Sequence, residues 1–366
     1  MGAPSWVRPL QALIDNPLPP ITQPAFIGLI GDHPSKYAKS PGIWRPALEA
    51  FSISASYLPL DIRADRLEAV LALLKETEAC LGANVTTPYK EAVLTQVDPS
   101  AEATAIGAVN TIVRLRDGRL HGANTDGAGM IAALHHDDGN GPLVRRLDGT
   151  RVLLLGAGGA GRAAALTLAP LVVGGEVIII NRTHERALAL ARIVRASGGR
   201  ATALLDEELD NHLPSVDLVI NASLRGQEGI RKSPQGWTTL ERYSPLAPAG
   251  PIFVQTTTVA DFYRVWERQA AADVAANNAR ARARARCLPA DAVVFDMIYA
   301  PRTTPLVAHA REAGLRTANG RWMNIAQAAA AFSDHICRDA LARAARGGPA
   351  AARGQVEEIM AAAWGE

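Results

Sequence analysis

The pattern of apolar and polar positions divides the chain into short buried segments that alternate with amphipathic ones. Residues 26–31 form an apolar run that ends in glycine, which predicts a buried strand. A polar loop over residues 32–39 leads into a helix, for which Ser40 is the predicted N-cap and Pro41 the first helical position. Five apolar residues are predicted to form the buried face of this helix: Ile43, Trp44, Ala47, Leu48 and Phe51.

The same alternation continues along the chain. Residues 109–120 predict a β-hairpin that turns at Asp117 and Gly118. A second amphipathic helix is predicted from the spacing of Leu67, Val70, Leu71 and Leu74. Further strands are predicted at 152–155, 177–180, 218–220 and 293–295, and a closing helical region at 326–332. The spacing in the second half is typical of βαβ units, so we predict an α/β fold with a parallel sheet there.

Two segments do not follow this alternation. Residues 1–25 are rich in proline and weakly periodic, and we predict an extended lead-in. Residues 227–287 interrupt the βαβ rhythm and are predicted to be a helical insertion. The insertion ends in arginines that alternate with alanine, without the interleaved aromatic residues expected of a nucleic-acid site, so a solvated helical face is predicted for Arg280, Arg282, Arg284 and Arg286.

Composition and charge narrow the class of protein. A chain of 366 residues, 48% apolar and 20% charged, is long enough for two domains with buried cores. Its net charge of +2 favours neither nucleic acid nor a membrane surface as a partner. Three widely spaced cysteines indicate neither a disulfide framework nor a clustered metal site. Since signal-peptide and membrane-spanning patterns are absent from the sequence, we expect a soluble, cytoplasmic protein.

A glycine-rich run follows the predicted strand at 152–155. Gly156, Gly158 and Gly161 have the spacing of a dinucleotide-binding fingerprint, in its required place between a strand and a helix. The first glycine allows a tight turn, the second lets the backbone approach a pyrophosphate, and the third allows close packing. Because the N-terminus of the following helix also attracts phosphate, this run predicts a bound dinucleotide.

The choice of cofactor depends on the end of the next predicted strand. An acidic residue about 20 positions after the glycines would bind the ribose of NAD. The chain has Asn181, Arg182 and Thr183 there instead, followed by Arg186. Guanidinium groups suit the additional 2′-phosphate of NADP, so NADP is the predicted cofactor.

A polar loop in the first half of the chain carries the candidate chemistry. Residues 84–90 (NVTTPYK) place amide and hydroxyl groups around a proline and end in Lys90, which suits a small, oxygen-rich ligand and offers it a proton carrier. Asp126 follows in the sequence NTDG at 124–127. Together with the glycine run, these motifs indicate a lysine and a carboxylate that face a bound dinucleotide.

Several spaced motifs resemble those of shikimate dehydrogenases, in the same order along the chain. The resemblance covers roughly residues 26–130, 150–225 and 292–333, and it rests on Ser40 with Pro41, NVTTPYK (84–90), GAVNT (107–111), NTDG (124–127), GAGGAGRA (156–163), NRT (181–183), DMIY (296–299), Met323 and Gln327. It implies a substrate domain of residues 26–127 completed by 321–366. It also implies that this domain faces a Rossmann NADP-binding domain, residues 128–320, across a cleft.

The resemblance implies that Lys90 and Asp126 face the reacting hydroxyl. Oxidation of a secondary alcohol sends a hydride to the nicotinamide and a proton to a base, and a lysine can serve in both directions. Substrate contacts are implied for Ser40 at the carboxylate and for Asn84, Thr86, Asn110, Thr125 and Gln327. Cofactor contacts are implied for Gly156, Ala157, Gly158, Gly159, Ala160, Gly161, Asn181, Arg182, Thr183, Arg186, Asn221, Ala222, Ser223, Met297, Tyr299, Gly320 and Met323.

Simpler structural roles remain open for some of these residues. Ser40 and Asp126 could each cap a helix, Asn110 and Asn124 could bond each other across the hairpin, and Gln327 could be an ordinary helix amide.

The chain departs from the family at the substrate loop, where a second serine usually stands two residues before Ser40 and this chain has Ala38. Losing one hydrogen bond to a carboxylate costs roughly 1.5 to 3 kcal/mol, or about 10-fold to 100-fold in affinity. The neighbouring Tyr37 could supply the missing hydroxyl. This departure is large enough to change the preferred substrate.

We therefore predict NADP-dependent interconversion of 3-dehydroshikimate and shikimate, with a small polyhydroxylated cyclohexene or cyclohexane carboxylate as substrate, by a monomer or homodimer. The nearest alternative is a quinate or modified-shikimate dehydrogenase, such as one acting on aminoshikimate. A non-catalytic sensor of NADP or a cyclic acid would have no need for a proton carrier such as Lys90. A dehydrogenase of an unrelated substrate class would leave the motifs of the first 130 residues unexplained.

Overall fold

The computed structural model describes residues 4–344 and 349–365. Up to residue 135 the helices and strands are α1 (Val7–Leu13), β1 (Ala25–Gly31), α2 (Pro34–Tyr37), α3 (Ser40–Ala50), β2 (Ala55–Asp61), α4 (Leu67–Glu76), β3 (Cys80–Val85), β4 (Asp98–Pro99), α5 (Ala101–Ile106), β5 (Thr111–Arg114), β6 (Leu120–Ala123) and α6 (Asp126–His135). They are followed by β7 (Arg151–Leu155), α7 (Gly159–Leu168), β8 (Glu176–Ile180), α8 (His184–Ala196), β9 (Ala201–Ala203), α9 (Leu209–His212), β10 (Leu218–Asn221), β11 (Ile230–Ser233), β12 (Gly236–Thr239) and α10 (Val259–Ala285). The last elements are β13 (Val293–Asp296), α11 (Pro305–Glu312), β14 (Arg316–Asn319), α12 (Arg321–Ala330) with a π-helical extension (Ala331–Ile336), α13 (Arg338–Ala344) and α14 (Pro349–Ala363).

The chain divides into two compact units, and the first consists of Met1–Gly129 with Trp322–Glu366. Its six-stranded sheet has the order β2-β1-β3-β5-β6-β4, in which β1 pairs in parallel with β2 and β3 and the predicted hairpin β5–β6 is antiparallel. One face of the sheet packs against α1 and α4, and the other against α3, α12 and α14. The carboxyl ends of β1, β2 and β3 therefore share one edge, where polar side chains can gather.

The N-terminal segment is not extended throughout, so the prediction for residues 1–25 is wrong at Val7–Leu13. Residues Val7–Leu13 form α1, in which Leu10 is completely buried. Trp6 stacks on Phe26 of β1 with ring centroids 4.2 Å apart. The apolar spacing of Trp6, Leu10 and Ile14 is helical, and Pro9 lies in the first turn, where a missing N–H costs nothing.

The second unit, Met130–Arg321, contains an all-parallel six-stranded sheet. Its order is β14-β13-β10-β7-β8-β9, so when only the strands of this sheet are counted they run 6-5-4-1-2-3, which is the Rossmann arrangement. The predicted α/β fold with a Rossmann parallel sheet is confirmed. The strand order reverses between β7 and β10, and the carboxyl ends of these two strands carry the glycine run and Asn221. Ligands of such sheets bind at this switch point.

The segment 227–287 is only partly helical. The prediction of a helix is right for Val259–Ala285 and wrong for residues 230–239, which form the antiparallel pair β11–β12. Gly236 has a φ of 121°, which favours glycine and permits the turn. The hairpin and α10 enclose a small core of their own, made by Tyr243, Val254, Phe262, Trp266 and Ala270.

The predicted solvated face at the end of α10 is confirmed for Arg280, Arg282 and Arg286, which are exposed, and is wrong for Arg284. The Arg284 side chain is only 3% exposed and donates hydrogen bonds to Asp206 and Asp210 at 2.7 and 2.6 Å. Arg280 contacts the same two carboxylates, and Arg282 pairs with Glu312. The partners lie more than 25 residues away along the chain, which is why local periodicity did not indicate them. Within residues 4–344 and 349–365, no helix has the length and apolar character needed to span a membrane.

Candidate active site

Lys90 and Asp126 form an ion pair in the first unit. Lys90 ends the loop that follows β3, and Asp126 is the first residue of α6. The Lys90 Nζ donates to Asp126 Oδ2 at 2.7 Å, and the side chains are 25% and 5% exposed. Asp126 is the only hydrogen-bond acceptor that the described part of the chain offers to Nζ. An ammonium group has three donors, so two of them remain available to a ligand on the solvent side.

Asn110 is the centre of the hydrogen-bond network around this pair. Its Nδ2 donates to Asp126 Oδ1 at 2.9 Å, to Thr125 Oγ1 at 3.0 Å and to Gln327 Oε1 at 3.2 Å. Its Oδ1 accepts the Thr125 N–H at 2.9 Å. Asp126 therefore has one oxygen on Asn110 and the other on Lys90, which fixes the orientation of the carboxylate. The sequence motifs NVTTPYK, GAVNT and NTDG thus meet at one point, and α12 contributes Gln327.

Asn124 supports Asp126 through the backbone rather than by pairing with Asn110. Its Oδ1 accepts the Asp126 N–H at 3.0 Å, and its Nδ2 donates to the Ala108 carbonyl at 3.0 Å. The alternative that Asn110 and Asn124 bond each other is therefore wrong. The capping role of the first turn of α6 falls to Asn124, which leaves both Asp126 oxygens for side chains.

A second polar group joins Ser40 and Asn84 through Tyr57. The Tyr57 hydroxyl donates to Asn84 Oδ1 at 2.9 Å and is also hydrogen-bonded to the Ser40 side chain. Tyr57 is buried, and this burial raises the pKa of its phenol far above the usual range, with the Ser40 hydrogen bond opposing the shift. The phenol is therefore neutral at all physiological pH values and serves as a fixed link.

The prediction that Ser40 is the N-cap of α3 is wrong. The cap position is occupied by Lys39, and the side chain there makes no capping bond. Ser40 is already helical, and its hydroxyl is directed to Tyr57 because that strand residue lies beside the first turn of the helix. The Ser40 hydroxyl is thus held by a tertiary contact, which a local sequence rule does not include.

Replacing Tyr57 with phenylalanine is expected to raise KM by up to about 10-fold with little change in kcat, because it removes roughly 0.5 to 1.5 kcal/mol of hydrogen bonding that orients Asn84 and Ser40. Steady-state kinetics and denaturant unfolding are the measurements. Thr77→Val is the matched control, since Thr77 at the end of α4 is also buried and donates its hydroxyl to the Leu73 carbonyl at 2.7 Å. We expect a similar loss of stability but an unchanged KM. Equal KM values for the two variants would contradict the positioning role of Tyr57.

Residues 32–39 of the substrate loop are fixed by a carboxylate that sequence reasoning missed. Asp61, at the end of β2, accepts the Ser35 N–H at 2.9 Å and the Ser35 hydroxyl at 2.5 Å. This holds α2, whose last residue, Tyr37, is 50% exposed. Ala38 packs partly buried against the core on the α3 side of the sheet. The signal for Asp61 was an apolar run, residues 55–61, that ends in a carboxylate beside the strand at 26–31.

The glycine run of the second unit has the geometry of a dinucleotide site. Gly156 follows β7 with a φ of 118°, and a Cβ there would lie 3.0 Å from the Ala222 carbonyl. A Cβ on Gly161 would overlap the Gly156 carbonyl oxygen. In contrast, a Cβ on Gly158 would meet no protein atom within 4 Å, which leaves open space above the backbone at the N-terminus of α7. Such a surface fits a pyrophosphate.

The turn after β8 is tied to the glycine run. Asn181 Oδ1 accepts the Ala157 N–H at 3.1 Å, and Asn181 Nδ2 donates to the Thr183 carbonyl at 2.9 Å. Arg182 and Arg186 are exposed and form no ion pair with any residue that the structure describes. Two unpaired guanidinium groups therefore lie at the start of α8, where the helix dipole also favours an anion.

Asn221 and Asp296 link the ends of β10 and β13. Asn221 Nδ2 donates to Asp296 Oδ1 at 2.9 Å, and Asn221 Oδ1 accepts the Ser223 N–H and hydroxyl. Asp296 is completely buried and also accepts from the Thr304 hydroxyl at 2.6 Å. Burial raises the pKa of Asp296 to about 6, and the hydrogen bonds oppose this shift. Of the other predicted cofactor residues, Met297, Tyr299 and Gly320 lie in this unit, whereas Met323 lies on α12 in the first unit.

The buried Asp296 is expected to make stability fall as the pH rises from about 4 to about 6. The folded protein holds this proton more tightly than the unfolded chain, so the group's contribution is complete below about pH 4 and is lost through its folded pKa. Compared with Asp296→Asn, the wild-type free energy of unfolding should drop by up to about 3 kcal/mol over this range. Denaturant titrations of both proteins at several pH values measure this change in the free energy of unfolding. A difference between the two proteins that is constant with pH would contradict the shifted pKa.

A Rossmann sheet with a glycine fingerprint at its switch point, together with a lysine and carboxylate pair on a separate α/β unit, defines a two-domain nicotinamide-dependent dehydrogenase. Residues 29–112 match the sequence model described as the shikimate dehydrogenase substrate binding domain, and residues 142–234 match the one described as shikimate / quinate 5-dehydrogenase. The chain belongs to the shikimate dehydrogenase family, as a relative from Moorella thermoacetica, named shikimate dehydrogenase (NADP(+)), is 32% identical over 90% of this chain and 97% of its own.

Solved structures share the fold. Shikimate 5-dehydrogenase from Thermus thermophilus, solved in complex with NADP(H) and shikimate, is 28% identical with a TM-score of 0.60, covering 92% of this chain and 99% of its own. Quinate dehydrogenase from Corynebacterium glutamicum, solved in complex with NAD, is 26% identical with a TM-score of 0.61, covering 90% of this chain and 97% of its own. The predicted family and fold are confirmed, and both shikimate and quinate enzymes occur among the neighbours.

Proposed function

We propose that this protein is an NADP-dependent dehydrogenase that interconverts 3-dehydroshikimate and shikimate. The observation that carries the proposal is the Lys90–Asp126 pair, which lies at 2.7 Å within the part of the chain related to shikimate dehydrogenases. The name of the Moorella thermoacetica relative and the ligands of the Thermus thermophilus structure support the reaction and the cofactor. The glycine run and the unpaired Arg182 and Arg186 support NADP independently.

Lys90 is the proposed acid and base. In the direction of reduction its Nζ gives a proton to the oxygen of the carbonyl group, and in the direction of oxidation it takes the proton from the hydroxyl. Asp126 orients Nζ and shares its proton, and Asn110 keeps the carboxylate in place. When bound, NADP supplies the hydride chemistry. A pair of this kind contributes to catalysis only if Nζ is aimed at the reacting oxygen. Under this proposal the hydrogen bonds among Lys90, Asp126 and Asn110 hold Nζ in that position.

The ring hydroxyls are proposed to bind near this pair. Asn84, Thr86, Asn110, Thr125 and Gln327 offer both donors and acceptors, which suits several adjacent hydroxyl groups. Ser40 is proposed to lie at the substrate carboxylate, since it opens α3, whose N-terminus attracts negative charge. Ala38 stands where the family usually has a second serine, and Tyr37 is proposed to supply the missing hydroxyl instead. Under this proposal residues 26–127 with 321–366 bind the substrate, and residues 128–320 bind NADP.

A quinate or modified-shikimate dehydrogenase is the second candidate. Ala38 in the substrate loop and the quinate dehydrogenase among the structural neighbours favour it. Steady-state rates with shikimate, quinate and aminoshikimate, each with NADP and NAD, separate the two candidates. We expect the highest kcat/KM for shikimate with NADP. Dominance of quinate with NAD would overturn the first proposal, and ligand binding without turnover would instead indicate a sensor.

A cytoplasmic location and a monomeric or homodimeric state are also proposed. A cytoplasmic location agrees with three unbridged cysteines, Cys80, Cys287 and Cys337, of which two are buried. The monomer or homodimer expected from the sequence is tested by light scattering coupled to gel filtration.

A further inference from the structure

Arg225 is a cation with no carboxylate partner beside the nucleotide site. It lies four residues after the end of β10, in the loop that begins with Asn221. Its Nη1 donates to the Ala247 carbonyl at 2.6 Å, and it forms no ion pair within residues 4–344 and 349–365. Asp206 and Asp273 act on it only from a distance, and Asp206 is already bonded to Arg284. A partly buried guanidinium without a counter-charge is unusual, because burial of an unpaired charge is costly.

Arg182 is a second cation that acts on Arg225 electrostatically. Burial lowers the pKa of Arg225, and the positive charge of Arg182 lowers it further, so the two guanidinium groups are close enough to repel each other. They come from the loops after β10 and β8, which lie on either side of β7 in the sheet. Both loops contact the glycine run, since Ala222 lies against Gly156 and Asn181 binds Ala157. Two like charges at this place are explained by an anion that binds both.

The inserted segment holds Arg225 in position. The Ala247 carbonyl that accepts from Arg225 also accepts from Asn277 Nδ2 at 3.1 Å. The buried Asn277 of α10 further donates to the carbonyls of Ser244 and Pro248 at 3.1 and 2.8 Å. Arg284, also on α10, donates to the Leu246 carbonyl at 3.0 Å. The helix of the insertion thus fixes the backbone of residues 244–248, which in turn fixes the guanidinium of Arg225.

We propose that Arg225 binds the 2′-phosphate of NADP together with Arg182, and that the insertion over residues 227–287 serves to position it. This inference rests on the proposed NADP-dependent function. A phosphate dianion accepts forked, charge-assisted hydrogen bonds from guanidinium groups and cancels the repulsion between them. Arg225 then determines cofactor choice, because NAD has no group at this place.

Calorimetric binding of NADP⁺ and NAD⁺ to the full-length protein, without substrate, tests the inference. Arg225→Gln is expected to weaken NADP⁺ binding by roughly 10-fold to 100-fold and to leave NAD⁺ binding unchanged. Arg225→Lys keeps the charge but not the forked donors, so its NADP⁺ affinity should lie between those of the wild type and Arg225→Gln. Arg242→Gln is the control, since this exposed arginine of the insertion pairs with Glu267 and should alter neither affinity.

Asn277→Ala tests the positioning role. It should reduce the preference for NADP⁺ over NAD⁺, as Arg225→Gln does. A general loss of stability would instead weaken the binding of both cofactors equally. If Arg225→Gln keeps the wild-type preference, or weakens both cofactors alike, the inference is overturned. If the wild-type protein itself binds the two cofactors equally, the NADP-dependent function fails instead, so the two failures are distinguishable.

Discussion

Replacing Lys90 with alanine is expected to lower kcat by roughly 10²-fold to 10⁴-fold, the usual contribution of a positioned acid or base. Substrate and NADP should still bind, because the ring hydroxyls and the cofactor retain their other partners. Removing the lysine also leaves Asp126, only 5% exposed, without its cation. Some loss of stability is therefore expected beside the loss of turnover.

A second substitution separates these two effects. In Lys90→Ala with Asp126→Asn the uncompensated carboxylate is gone, so stability should recover while kcat stays low. Lys75→Ala is the control, since Lys75 lies exposed on α4 and should leave both quantities unchanged. Single-turnover rates, ligand binding by calorimetry and denaturant unfolding are the three measurements. Turnover of Lys90→Ala at the wild-type rate would refute the proposed role.

The Rossmann half of the fold was predictable because its strands are buried on both faces. β7, β8 and β10 are almost entirely inaccessible to solvent, so each is a continuous apolar run that stands out in the sequence. The glycines could also be interpreted one by one, since each position in the fingerprint has its own steric reason. Local signals were sufficient wherever one strand and the turn after it define the feature.

Long-range contacts account for what the sequence did not predict. Tyr57 joins Asn84, 27 residues away, and Arg284 binds Asp206, 78 residues away. The helical period of Trp6 and Leu10 was obscured by prolines, although burial against Phe26 stabilises α1. Ser40 is a further example. A capping rule placed it at the start of a helix, but did not predict that its hydroxyl bonds to Tyr57.

The candidate site could be predicted only in part from the sequence. Lys90 and Asp126 could be singled out because their motifs resemble a family, yet the sequence did not indicate that Asn110 bonds Asp126, Thr125 and Gln327 together. Gln327 is 217 residues from Asn110. Identity of the residues was therefore accessible from sequence, whereas the network that orients them was not.

Replacing Gly161 with alanine is expected to lower NADP affinity on the order of 100-fold and to destabilise the fold by about 1 to 3 kcal/mol. The new Cβ would overlap the Gly156 carbonyl oxygen, which belongs to rigid backbone and cannot rotate away. Either α7 moves off β7 or the Gly156 turn opens, and both displace the N–H groups that would hold the pyrophosphate. Calorimetry with NADP⁺ and thermal unfolding measure the two effects.

Gly158→Ala separates binding from stability. Its φ of −81° is allowed for alanine, and its Cβ would meet no protein atom, so stability should not change. The methyl group would nevertheless occupy the space above the N-terminus of α7, and NADP affinity should fall. Gly354→Ala, in open space on α14, is the control for NADP affinity, and it should raise stability by up to about 1 kcal/mol because alanine favours a helix interior over glycine. If Gly158→Ala binds NADP⁺ as tightly as wild type, the pyrophosphate does not lie over this turn, and the proposed cofactor site is wrong.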